Sequence, residues 1–270
     1  MVDGVKKRNF VEATGSAILA GISYIGGMAL LLVDTFKATA ETLRRPSSRQ
    51  AIVMQMYRVG VRSVGIVCLV QIFIGVILTL QLAPPLKPWG QVDKVANIIG
   101  VAGFRMLGPI LTAVVISGFA GASIAAEVGT MVVAEEIEAL RASALNPVRF
   151  LVVPRILATF LMMILLTIIA DWMIALGGYL TSLLALQPKV SIGYWSRMHD
   201  QLRMRDVISG LIMAGVFGGM ISLIACYEGL RVRGGAEGVG RATTMTVVYS
   251  IVGIIAAACI FTMIFYVFGF

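Results

Sequence analysis

The chain has 270 residues, 59% of them hydrophobic and 13% charged, with a mean hydropathy of +0.93 and a formal charge of +8. A water-soluble domain of this size carries roughly 25% charged residues, so the composition excludes a soluble globule and marks a polytopic membrane protein. Nor does the positive charge indicate nucleic acid binding, because the Lys and Arg residues sit in short segments beside apolar runs, where they orient spans.

The first sixty residues are the hardest to place. Ala17 to Val33 is apolar but short, with Lys6-Lys7-Arg8 before it and Asp34 and Lys37 after it. It reads as a span, a cleavable signal or an interfacial helix. Crossing the membrane would leave Arg44, Arg45, Arg49, Arg58 and Arg62 on the outer side, against the positive-inside rule. An amphipathic helix on the cytoplasmic surface keeps them inside, and is the expected form of residues 1–62.

Five later segments reach the length of about 20 apolar residues that a span needs: Val64 to Ala83, Leu107 to Ala126, Ile156 to about Leu176, Val207 to Tyr227, and Val247 to Phe268. The third continues apolar to Leu186, with a bend expected at Gly177-Gly178. Gly215-xxx-Gly219 offers a surface for close helix approach. With the N-terminus inside, fifteen of the 22 Lys and Arg residues fall on the cytoplasmic side and seven outside. The C-terminus then lies on the outer face. The expectation is an all-α integral membrane protein with an N-terminal interfacial helix and a five-span domain over residues 63–270.

Much chemistry is missing. The sequence has no G-x-x-x-x-G-K-[ST], no H-E-x-x-H and no G-x-S-x-G. With one histidine, His199, and with Cys68, Cys226 and Cys259 scattered through apolar runs, no metal site, cofactor or catalytic constellation is expected. His199, beside Tyr194 and Trp195, reads as part of an interfacial belt. The Gly-rich basic stretch Glu228 to Arg241 is flanked by spans and not by a strand and helix, so it reads as a cytoplasmic hinge or docking loop.

Several polar residues at membrane depth stand out. Glu127 closes the second span, and Asp171 lies about 24 Å along a helix from Arg155, near the outer edge of the hydrocarbon. Asp171 is either an ion site or a hydrogen-bonding group to a neighbouring span. Gln81, at the outer end of the first span, faces a polar ligand or bonds another helix. Arg105 begins the second span, as a phosphate ligand or as an interface anchor.

Between the second and third spans, Met131 to Leu145 carries Ile137, Leu140 and Ala144 on one narrow stripe, with Glu135, Glu136, Glu138 and Arg141 around the rest. Asn146-Pro147 ends it. Glutamates clustered at an anionic leaflet are repelled by it, so this helix is expected to face a protein partner.

The run E-V-G-T-M-V-V-A-E-E-I-E-A-L-R-A-S-A-L-N-P-V-R-F-L-V-V-P-R resembles the signature of the MlaE-type permeases, membrane subunits of ABC systems that move phospholipids together with MCE-domain proteins. G-V-I-L-T-L-Q ending at Gln81, L-G-P-I-L-T-A from Leu107, and R-V-R-G-G-A-E-G-V-G-R-A-T-T from Arg231 extend the match in the right order. The resemblance implies a homodimer in a bacterial inner membrane, without a plastid transit peptide. It implies cytoplasmic ATP-binding subunits docked on a coupling helix at Glu135, Glu136, Glu138, Leu140 and Arg141. It also implies a periplasmic MCE-protein hexamer, and admits a STAS-domain protein as a further subunit. Phospholipid would lie near Ile74, Leu78, Gln81, Leu82 and Arg105. Two departures are apparent, because the family often has Glu where this chain has Met106 and Arg where it has Phe119. An ion-coupled secondary transporter using Glu127 or Asp171, and a membrane scaffold that transports nothing, are the alternatives to an ABC permease.

Overall fold

The computed structural model describes residues 10–44, 46–186 and 188–267. Lys6, Lys7, Arg8, Arg45 and the Phe268 end of the fifth expected span lie outside them. The described residues are almost wholly helical, in the order α1 (Phe10–Arg44), α2 (Pro46–Val59), α3 (Val64–Leu86), α4 (Val95–Ala102), α5 (Gly108–Ile116), α6 (Ala122–Val133), α7 (Glu136–Ala142), α8 (Val153–Ala185), α9 (Pro188–Ile192), α10 (Tyr194–Gln201), α11 (Met204–Leu230) and α12 (Gly235–Val267).

Among the described residues, five stretches are long and apolar enough to cross a bilayer: Arg49–Leu86, Val92–Val133, Val148–Ala185, Met204–Leu230 and Gly235–Val267. All five expected spans are found, and every one is longer than its apolar run. At about 1.5 Å per residue, α8 and α12 each measure about 50 Å, well beyond the hydrocarbon. Wide π turns at Gly103–Leu107 and Ser117–Gly121 join α4, α5 and α6 into one stretch.

α3 packs with its small and polar residues inward. On α3 the buried positions Val67, Gln71, Gly75, Thr79 and Ala83 recur every four residues, while Leu69, Phe73, Ile77 and Leu80 are exposed. Lipid solvates the large side chains, and the small ones let backbones approach. A Cβ on Gly75 would lie 2.2 Å from the Ile174 carbonyl, and one on Gly177 2.2 Å from that of Ile72. These glycines put α3 directly against α8. They also correct the expected bend at Gly177-Gly178, through which α8 runs uninterrupted because the pair serves this contact. On α11 it is Gly218, over the Thr159 carbonyl, that makes the closest approach to α8, with Gly215 set against the Phe160 ring.

α1 is one long helix packed on α2, on α11 and on the 148–152 turn that enters α8. Leu31, Thr35, Ala38 and Thr42 form its buried stripe, whereas Ile22, Ile25, Leu30 and Phe36 are exposed.

Candidate functional site

The connection between α6 and α8 forms a bracket. α6 ends at Val133, and Glu135 takes a left-handed conformation at φ +58, which turns the chain into α7. α7 is seven residues long, shorter than the helix expected over Met131 to Leu145. Met131 belongs to α6, and Ala144, at φ +58, has left the helix. The apolar stripe is therefore Ile137, buried, and Leu140, half-buried, both on the main core, while Ala144 is exposed. Burying Ile137 contributes on the order of 2 kcal/mol, enough to seat the short helix. Glu135, Glu136, Glu138 and Arg141 are all exposed. Asn146 then accepts the Val148 N–H at 3.0 Å through its side chain, and Pro147 leads into the wide turn Val148–Val152 at the foot of α8.

Under this bracket lies an ion-pair network. Glu127 on α6 receives the Arg155 Nη2 of α8 at 3.0 Å on one carboxylate oxygen and the Arg58 guanidinium of α2 on the other. Arg155 is 6% exposed and also donates to the Leu151 carbonyl at 2.9 Å. Three helices are thus pinned by one carboxylate. Reading the sequence located Glu127 but not its partners, which lie 69 and 28 residues away. With both oxygens held by arginines, Glu127 is not a vacant ion site. Beside it, Phe119 joins Arg58, Arg62 and Glu127 around a cavity of about 320 Å³.

Asp171 is a second buried acid. It is 2% exposed, and its carboxylate rests on Gly108, where a Cβ would come within 1.8 Å of Oδ1. Gln71 meets the same place from α3, donating to Thr112 Oγ1 at 2.9 Å and to the Gly108 carbonyl at 3.3 Å. This polar layer joins α3, α5 and α8. One residue on, Trp172 packs 6.1 Å from Trp195 of α10, which contacts Tyr179 and Tyr194 in turn. His199, on α10, is exposed and makes no ring contact or ion pair among the described residues.

At the end of the bundle away from α7, a cavity of about 630 Å³ opens beside α4. Ile98, Val101, Met106 and Leu107 give it apolar walls, and Lys94 and Arg105 stand at its polar edge. Arg105 sits in the wide turn Gly103–Leu107 with Asp206 Oδ1 at 3.6 Å and the Phe265 ring at 6.0 Å. Asp206 accepts the Arg203 N–H at the start of α11, which fixes the position of the acid. Of the other sequence candidates, Gln81 is exposed at the end of α3 and Ile74 is half-buried. Leu78 and Leu82 pack against Val95, Ile99 and Ile174, so they support α4 from behind the cavity wall.

A family model described as Permease MlaE matches residues 52–264. The chain belongs to the MlaE permease family. A probable ABC transporter permease protein of Rickettsia felis is 34% identical over 258 residues, covering 96% of this chain and 98% of the relative. The intermembrane phospholipid transport system permease protein MlaE of Haemophilus influenzae is 29% identical with the same two coverages. The chloroplastic protein TRIGALACTOSYLDIACYLGLYCEROL 1 of Arabidopsis thaliana is 33% identical over 212 residues, or 78% of this chain and 60% of that protein. Membership in an ABC permease family implies ATP-binding partner subunits. Within the MlaE permease fold, both departures noted in the sequence fall on cavity walls, Met106 beside Arg105 and Phe119 beside Arg58.

Proposed function

We propose that this chain is the permease subunit of an ABC system that moves phospholipid between a bacterial inner membrane and a tunnel of periplasmic MCE-domain protein. ATP hydrolysis in cytoplasmic partner subunits drives it, two copies of the chain form the permease, and a STAS-domain protein joins the assembly. The N-terminus and α7 are cytoplasmic, the C-terminus is periplasmic, and α1 lies along the inner membrane surface.

The observation that carries this reading is the α7 bracket. Its exposed face holds Glu135, Glu136, Glu138 and Arg141, suited to a mixed or basic groove on a partner. Its buried side and the Glu127–Arg155 pair deliver any displacement to the foot of α8. From there the motion reaches α3, on which α8 is packed glycine to backbone, and so α4 and the cavity at Arg105. Acyl chains need only apolar walls, supplied by Ile98, Val101, Met106 and Leu107 with Leu78 and Leu82 as backing. A lipid phosphate is held by Arg105 and Lys94.

Replacing Glu135, Glu136 and Glu138 together by Lys is expected to abolish co-purification of the ATP-binding subunits and stimulation of their hydrolysis. Unchanged co-purification and hydrolysis would sink the docking claim. Crosslinking of phospholipid from a photoreactive residue at Gln81, with and without ATP, tests the conduit separately. A yield that ATP does not alter indicates a scaffold.

A further inference from the structure

The stretch from Glu228 to Arg241 takes no part in the α7 bracket or in the cavity at Arg105. It joins α11 to α12 on the α7 side, turning through Gly234 and Gly235 at φ +88 and +67. Beneath it a groove of about 930 Å³ opens between α1, α11 and α12. Its character changes along its length. Arg231, Arg233, Arg241 and Glu228 stand at the loop end, and Ile224, Met220 and Val252, farther along α11 and α12, line the deeper part. Arg231, just past the end of α11, stands eleven positions beyond Met220, about 16 Å along the helix. That is close to half the ~30 Å hydrocarbon thickness of a bilayer. The groove therefore follows one leaflet from surface to midplane, basic at the surface and apolar below.

The arginines differ in how they are held. Arg231 donates to the Tyr227 hydroxyl at 3.3 Å and lies over the rings of Tyr227 and Tyr24 at 5.1 and 5.7 Å. Arg233 is exposed, as is Arg241, and among the described residues neither guanidinium has a hydrogen bond or ion pair. Three guanidiniums on the rim face one carboxylate, Glu228. A bare anion would satisfy the rim and leave the apolar wall open, whereas an apolar helix would fill the wall and leave the arginines unmatched.

We propose that this groove binds an anionic phospholipid of the leaflet on the α7 side, with its phosphate on Arg233 and Arg241 and an acyl chain along Ile224, Met220 and Val252. The site is separate from the cavity at Arg105, at the other end of the spans. It does not depend on transport, since a lipid held here fits a scaffold as well as a permease.

The test is photolabelling of the full-length chain in phosphatidylcholine nanodiscs carrying a small fraction of phosphatidylglycerol with a photoreactive acyl chain. Labelling is expected on the α11 peptide with Ile224 and the α12 peptide with Val252. Arg233→Glu with Arg241→Glu should lower it by about tenfold or more, and Val252→Trp, which leaves the charges in place, should lower it by filling the wall. Diacylglycerol with the same photoreactive chain should label weakly and without regard to the charge reversal. Equal labelling by the two probes, labelling retained in both variants, or displacement by millimolar inorganic phosphate alone overturns the proposal, the last by reducing the groove to a simple anion site.

Discussion

Arg155 Nη2 of α8 stands 3.0 Å from Glu127 Oε2 of α6, and the same carboxylate is held from the other side by Arg58 of α2. Arg155 is nearly sealed from solvent while Glu127 is about a third exposed. Truncating the acid therefore strands a buried cation. Glu127→Gln is expected to cost about 3 kcal/mol, the lower end for breaking a buried pair because the acid is partly solvated. Glu127→Gln with Arg155→Met should recover much of the loss. Thermal unfolding of the four forms in detergent measures the coupling, and additive effects would show that the pair does not brace the two helices.

The glycines between spans divide into two kinds with different genetics. An alanine at Gly75 or Gly177 drives a methyl into a carbonyl of the facing helix, so each should destabilise by about 1–3 kcal/mol or more, and no single side-chain change can relieve it. An alanine at Gly178 instead meets the Tyr194 hydroxyl at 2.4 Å. Tyr194→Phe should partly rescue Gly178→Ala and do nothing for Gly75→Ala, a contrast that folding yield reads directly.

Tyr194 is fully buried, and its hydroxyl has no hydrogen-bond partner among the described residues. Burial pushes its ionisation above the ordinary phenol value of about 10. The folded state thus holds this proton more tightly than the unfolded chain does. Its contribution to stability is complete below about pH 10 and is lost as the pH climbs from there toward the folded value. Tyr194→Phe should flatten the alkaline limb of the stability profile, and an unaltered limb would assign it to other groups.

Ala144, exposed and at φ +58, holds a backbone conformation that favours glycine. Ala144→Gly is expected to raise stability by roughly 0.5–1 kcal/mol, and Ala144→Val to lower it by at least as much. Chemical denaturation of the two variants measures the difference. A destabilising glycine would mean that the turn is not strained.

What the sequence conveyed and what it hid have physical reasons. The five spans were legible because hydropathy averages over whole helices, and the exposed acids of α7 because charge beside apolar runs is conspicuous. The end of α7 was not legible: Ala144 is a good helix former, and only its left-handed backbone shows that the helix has stopped. Nor were the partners of Glu127, since ion pairs between distant segments leave no local trace. The faces of α3 were hidden differently. Every turn of that helix is apolar, so Leu78 and Leu82 looked as accessible as Phe73 and Ile77. The available signal was the small and polar series Gln71, Gly75 and Thr79, which in lipid marks the inside of a bundle.

The α7 bracket has left-handed residues at both of its ends and an ion pair across its base. Under the proposed coupling, a force on its acidic face becomes a torque on α8 about the Glu127–Arg155 contact. Since α8 continues for about 45 Å from that pivot, a small tilt at the foot would be magnified at the tip, where α9 and α10 begin. In that coupling the connection is a short arm working a long one, trading force at the α7 face for distance at the far end.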